Sequence, residues 1–88
     1  MVMNNSDRIA RIRIILSNPF AEYPGLTDRE QEILTLAAKG KTSTDIAEAM
    51  SMSEKAITST LYRLKPRIGK TKPELVQHLI EQLEGVLE

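Results

Sequence analysis

Apolar positions recur at helical spacing along most of the chain, and no stretch alternates apolar and polar residues with the period of a strand. The most informative stretch is Thr42 to Arg67. Ile46, Ala47 and Met50 share one face of a first short helix. After the interruption Ser51-Met52-Ser53, the positions Ile57, Leu61 and Leu64 recur at four and three, one stripe of a second helix from Glu54. Thr42 suits the cap of the first helix, because its hydroxyl can accept from an otherwise unpaired amide, and Asp45 favours the positive helix end. Ser53 offers a second cap. Two helices across so short a turn, with small Ala47 where they would cross, predict a helix-turn-helix.

The remaining pattern predicts three more helices. Thr27-Asp28-Arg29-Glu30 has the form of a capping box, opening a helix with Ile33, Leu34, Leu36 and Ala37 that stops at Gly40. Thr71-Lys72-Pro73-Glu74 has the same form and opens a last helix, to about Leu83 or Glu84 with Gly85 as its stop. Its apolar stripe, Leu75, Val76, Leu79, Ile80 and Leu83, is wider than one small core requires, which makes it a candidate dimerisation surface. Pro66 removes an amide and crowds the turn before it, so the helix from Glu54 is expected to end or kink near Leu64 or Lys65.

Residues 1 to 5 read as disordered, and Ser6 as the cap of a helix through about Leu16, with Ile9, Ile12 and Leu16 on one side and Arg8 and Arg11 nearer the other. At about three turns such a helix is marginal alone and must pack on something, either the rest of the domain or a second protomer. Ser17 to Gly25, with Asn18-Pro19 and Pro24-Gly25, reads as an irregular connection. The expected organisation is all-α: an N-terminal arm over residues 1–25, then one helix-turn-helix domain over 26–88.

Composition narrows the chemistry. Eighty-eight residues, 41% of them apolar, allow one modest core. There is no cysteine, hence no disulfide framework or thiolate metal site. No apolar run approaches membrane-spanning length and the first twenty residues lack a secretory core, so a soluble, cytoplasmic protein is expected. Phe20, Tyr23 and Tyr62 are the only aromatic residues, too few for a single-strand stacking platform. His78 has Glu74 and Glu81 four and three residues away, a spacing that fits a surface ion pair better than a metal or acid–base site. No nucleophile elbow, phosphate-binding glycine loop or zinc signature is present. The expectation is no catalysis, no metal and no cofactor.

Charge points elsewhere. The formal net charge is zero, which argues against a basic coat around the whole molecule. Yet from Lys55 to Lys72 the chain carries six basic residues, Lys55, Arg63, Lys65, Arg67, Lys70 and Lys72, and no acidic one. Alone, such a run describes an ordinary solvated helix face. Joined to the two-helix pattern it favours DNA. At about 100° per residue from Ile57, Lys55, Ser59 and Tyr62 fall opposite the apolar stripe and Thr58 and Arg63 on its flanks, with donors suited to base edges and phosphates. Lys41, Thr44, Lys65, Arg67 and Lys70 are the candidate phosphate contacts.

Three blocks in order, Leu26-Thr27-Asp28-Arg29-Glu30-Gln31-Glu32-Ile33-Leu34, then Gly40-Lys41-Thr42-Ser43-Thr44-Asp45-Ile46-Ala47, then Ser53-Glu54-Lys55-Ala56-Ile57, resemble the LuxR/GerE family of four-helix DNA-binding domains. The family pattern runs roughly L-T-x-R-E-x-E-V-L, G-x-S-x-x-E-I-A and S-x-K-T-V. Here Thr42 replaces serine, Asp45 glutamate, Ala56 threonine and Ile57 valine. The resemblance covers about residues 26 to 80. It implies a transcription regulator that binds double-stranded DNA as a homodimer, commonly through its last helix. Departures are Thr58 where the family usually has a cation, Thr60 where it often has histidine, Pro66, and one residue fewer between Gly69 and Leu75. Members usually carry a receiver or ligand-sensing domain ahead of the motif; with some 25 residues preceding it, this chain resembles the stand-alone minority.

The leading expectation is therefore a dimeric regulator with helix 54–65 in the major groove, reading half-sites about one helical turn apart. The alternative is a protein-interaction module whose last helix pairs with and modulates a larger regulator or RNA polymerase. A sigma-factor region-4-like domain is a variant of the first reading that the Ser-x-Lys block disfavours.

Overall fold

The computed structural model describes residues 4–87. Among them it forms five helices and no strand: α1 (Asn5–Ser17), α2 (Asp28–Ala38), α3 (Ser43–Met50), α4 (Glu54–Ile68) and α5 (Lys72–Leu87). The helix α2 is central. It touches α3, α4 and α5, α3 packs on α4, and α1 lies along α5.

Local chemistry sets the ends of α2. The Thr27 hydroxyl accepts from the Glu30 amide at 3.1 Å, and Glu30 Oε1 accepts from the Thr27 amide at 2.9 Å, the capping box expected from the sequence. The inward face is Ile33, Leu34, Ala37 and Ala38, all buried. Thr35 is buried too, and its hydroxyl donates to the Gln31 carbonyl at 2.7 Å, so no donor is stranded. Gly40, at φ +83°, turns the chain towards α3 in a conformation that costs glycine nothing.

A second capping box, Thr42 with Asp45, opens α3. Ser51 ends it at φ 54°, left-handed, and the Met52 amide donates back to the Ala47 carbonyl at 2.9 Å. Ser53 then caps α4 by accepting from the Ala56 amide at 3.1 Å. Buried Ile46 and Ala47 on α3 and Ile57 on α4 join the central core. The inner stripe of α4 is Ile57, Thr60, Leu64 and Ile68, with Leu61 only half-buried, so Thr60 takes the innermost position expected of Leu61. Its hydroxyl donates to the Ala56 carbonyl at 2.8 Å, which makes the position affordable to a polar side chain.

Of the end or kink expected near Leu64 or Lys65, the end does not occur. The helix runs on to Ile68 and stops at Gly69, φ +72°. Pro66 is exposed, so the carbonyl it leaves unpaired, that of exposed Tyr62, lies on the solvent side, while buried Ile68 anchors the final turn. Nor does Gly85 stop α5, which continues to Leu87 and buries Val86. At the start of α5, Glu74 Oε1 accepts from both the amide (3.0 Å) and the hydroxyl (2.8 Å) of Thr71.

The N-terminal arm differs most from expectation. Residues 1–3 lie outside the described residues. Asn4 rather than Ser6 caps α1, accepting from the Asp7 amide at 2.8 Å, and Asn5 is already helical. The side of α1 that packs on the core carries Ile15 and Leu16, whereas Ile9 is 51% exposed. The connection that follows is tied down: Phe20 is completely buried, its amide donates to Asn18 Oδ1 at 3.1 Å, and Asn18 Nδ2 donates to Gln31 Oε1 at 2.7 Å. Gln82 Nε2 donates to the Pro19 carbonyl at 3.1 Å, fastening the connection to α5.

Candidate nucleic-acid interface

With one stripe of α4 committed to the core, its opposite arc is free. At about 100° per residue, Lys55, Ser59, Tyr62 and Pro66 fall within about 60° of one another on that arc, flanked by Thr58 and Arg63. All six are exposed, Tyr62 at 82%. The Thr58 hydroxyl turns back to its own helix, towards the Glu54 and Lys55 carbonyls at 3.2 and 3.0 Å. That feature had no sequence signal beyond the residue type. Thr60 belongs to the opposite, buried side, so the absence of a histidine there removes no group from the outer arc.

The candidate phosphate contacts divide into three sets. Lys65 and Lys70 line one cleft together with Tyr62, between α4 and the start of α5. Lys41 and Thr44 are exposed at the entrance to α3, and Lys41 shares a shallow depression with Asp45 and Glu48, which offset its charge locally. Arg67 is engaged with the protein itself, Nη2 donating to the Gly25 carbonyl at 2.9 Å. That bond uses one of the five N–H groups of the guanidinium and leaves the others free.

Glu30 is the member that sequence reasoning missed. Its Oε2 lies 3.5 Å from Arg63 Nη2, while its other oxygen closes the α2 capping box. The Thr27 amide is the main reason its carboxyl is held below the ordinary glutamate range; burial opposes this, and the Thr27 hydroxyl, Arg67 and Arg63 add to it. Glu30 thus stays ionised and holds Arg63 at the edge of the outer arc. Thirty-three positions separate the two residues, and no local pattern links them.

The five apolar residues read as a dimer surface fall on two adjacent stripes of α5. Leu75 and Leu79 are 4% and 6% exposed and belong, with Val86, to an inner stripe that packs within the protomer. These two are therefore corrected from surface to interior positions. Val76, Ile80 and Leu83 form an outer stripe that continues to Leu87, with Ile80 40% and Leu87 63% exposed.

His78 is not paired with carboxylates. Its ring stacks on Phe20 (centroids 5.3 Å apart) and meets Tyr23 edge-on, and Nε2 is 3.4 Å from the Pro19 carbonyl. Glu74 is engaged by Thr71, whose amide is the main cause of its lowered pKa, and Glu81 accepts from Gln77. No helix among the described residues is long and apolar enough to cross a membrane.

Residues 24–78 match the sequence model described as bacterial regulatory proteins, luxR family. The oxygen regulatory protein NreC of Staphylococcus aureus, in strains JH9, JH1 and USA300 among others, is 38% identical over 58 residues, covering 65% of this chain. The chain spans 27% of the length of those relatives. No solved structure matches it significantly.

Proposed function

The chain belongs to the luxR family of bacterial regulatory proteins and carries its helix-turn-helix domain, and from that premise we propose that it is a sequence-specific DNA-binding transcription regulator that acts as a homodimer with α4 in the major groove. The supporting observation is the division of α4. Ile57, Thr60, Leu64 and Ile68 are buried, so Lys55, Ser59, Tyr62 and Arg63 are left outward on a helix whose own acidic residue is Glu54 alone, with Glu30 of α2 against Arg63 at the edge. Lysine and arginine reach guanine edges, serine reaches any base, and phosphate contacts from Lys65, Lys70, Arg67, Lys41 and Thr44 set the register. The outer stripe of α5, Val76, Ile80, Leu83 and Leu87, pairs two protomers so that two copies of α4 meet half-sites about one helical turn apart. The oxygen response named for the Staphylococcus relative is not carried over, because most of that protein lies outside the matched region.

The exposed end of that α5 stripe also favours a second reading, in which the domain pairs with a larger regulator or with RNA polymerase. One experiment separates them: selection from a random double-stranded DNA pool at two salt concentrations, with the solution mass recorded. A palindromic site enriched by a dimer, with affinity falling steeply as salt rises, supports the regulator. No enrichment from a folded sample refutes it and favours the pairing module, whose apolar contact is nearly insensitive to salt.

A further inference from the structure

Beside the outer arc of α4 lies a cleft that DNA contact does not explain. Its volume is about 190 Å³, and its floor is Leu34, Leu61, Leu64, Ile68 and Leu75. Around the mouth stand Tyr62, Lys65, Lys70 and Lys72, with no carboxylate among the lining residues. Glu74 is the acid that acts on Lys70 and Lys65, and it is already bonded to the amide and hydroxyl of Thr71. Glu81 joins Glu74 in the neighbouring depression beside Lys70, so three lysines face two carboxylates and the mouth keeps an excess of positive charge, in a chain whose net charge is zero. Lys70 is half-buried and lines the cleft, where a long side chain can cover apolar surface with its methylenes and keep its ammonium in water.

We infer that this cleft binds a small amphipathic carboxylate, its hydrocarbon body on the leucine and isoleucine floor and its head group among Lys65, Lys70 and Lys72. Size and charge both select that class. Pockets that enclose drug-sized molecules run to roughly 300–1,000 Å³, so this one takes a short chain and leaves the polar end at the mouth. A phosphodiester backbone has no apolar body to place on the floor. Because Lys65 and Lys70 are also the proposed phosphate contacts, the carboxylate and DNA compete for the same ammonium groups, and occupancy of the cleft weakens DNA binding. The competition rests on the DNA-binding reading above; occupancy of the cleft does not.

The test uses octanoate as probe and 1-octanol as its neutral counterpart, followed by amide NMR shifts on the whole chain without DNA. Octanoate is expected to give saturable shifts at Leu61, Ile68, Thr71 and Leu75, and octanol markedly weaker ones. The exposed substitution Lys72→Glu, outside the DNA contacts, is expected to weaken octanoate about fivefold and leave octanol unchanged, the scale of one exposed ion pair. Shifts scattered over the surface, equal binding of both probes, or no effect of K72E would each overturn the site. With the selected DNA present, octanoate should raise the apparent Kd for DNA, and DNA should displace octanoate by the same factor. A filled cleft with unchanged DNA affinity refutes the competition. Absence of DNA binding without octanoate refutes the regulator reading instead, and leaves the NMR titration to decide the cleft.

Discussion

Truncating Arg63 to alanine separates what this side chain does for the fold from what it does for recognition. In the free protein its guanidinium meets Glu30 at 3.5 Å with the side chain 67% exposed, and solvent-exposed pairs contribute about 0.2–1 kcal/mol. Arginine and alanine are both good helix formers, so α4 itself is little affected. The expected loss of stability is below about 1 kcal/mol. In the complex, a side chain bidentate to a guanine contributes about 1–3 kcal/mol, a roughly 5- to 150-fold loss of affinity on truncation. Fluorescence anisotropy on the selected site, beside a denaturant melt, reads both numbers. If Arg63 contacts a base, R63A relaxes specificity at one position and keeps the salt slope; if it contacts phosphate, the slope falls by about one ion and specificity is kept. A variant that melts with the parent and binds within about twofold shows that the outer arc of α4 is not the reading surface.

Phe20→Ala should lower stability by about 3–5 kcal/mol, seen as a reduced denaturant midpoint, because the ring is fully buried against His78 and Tyr23; a loss under about 1 kcal/mol would remove the connection from the core. Ser51→Gly should raise stability by about 0.5–1 kcal/mol, since it relieves a left-handed serine at a smaller entropic cost, and a lower midpoint would contradict that φ assignment. Glu30 and Glu74 have depressed pKa values in the folded state. Their stabilisation is therefore present above the ordinary glutamate value of about 4.3 and is lost as pH falls through the lowered folded values. Melts of E30Q and E74Q should depend less on pH in that acid window than the parent's, and parallel curves would refute the contribution. If the proposed dimer forms through this stripe, Ile80→Glu, on a side chain already 40% exposed, should halve the solution mass, keep the helical content, and lower the melting temperature only by the lost concentration-dependent contribution of association; an unchanged dimer would move the interface off this stripe.

The elements with periodic apolar faces and local caps could be read from sequence because their causes are local. Thr27 with Glu30, Thr42 with Asp45, and Ser53 each solve an unpaired-amide problem within three residues, so the starts of α2, α3 and α4 follow from residue type alone. The ends of α4 and α5 were not legible, because the forces that carry them past Pro66 and Gly85 are tertiary: Ile68 and Val86 are buried. Phe20 escaped for the same reason. Asn-Pro on one side and Pro-Gly on the other describe an irregular backbone correctly, but they say nothing of where a single aromatic side chain goes.

The width of the α5 stripe shows how a correct pattern can still divide between two roles. Leu75, Leu79 and Val86 follow one another at helical spacing, and Val76, Ile80, Leu83 and Leu87 follow at the same spacing one residue over. Periodicity merges the two rows into one broad face. Packing separates them, because α2 and α1 together cover the inner row and only part of the outer one. The helix α1 contributes to that cover without a single fully buried residue, so its hold on α5 is the weaker of the two. Apolar area removed from water contributes about 25 cal/mol per Å², and the half-exposed row is where the protomer alone has left that contribution unrealised. In the proposed homodimer a second copy completes it without asking anything new of the sequence, since a two-fold axis sets the same row against itself.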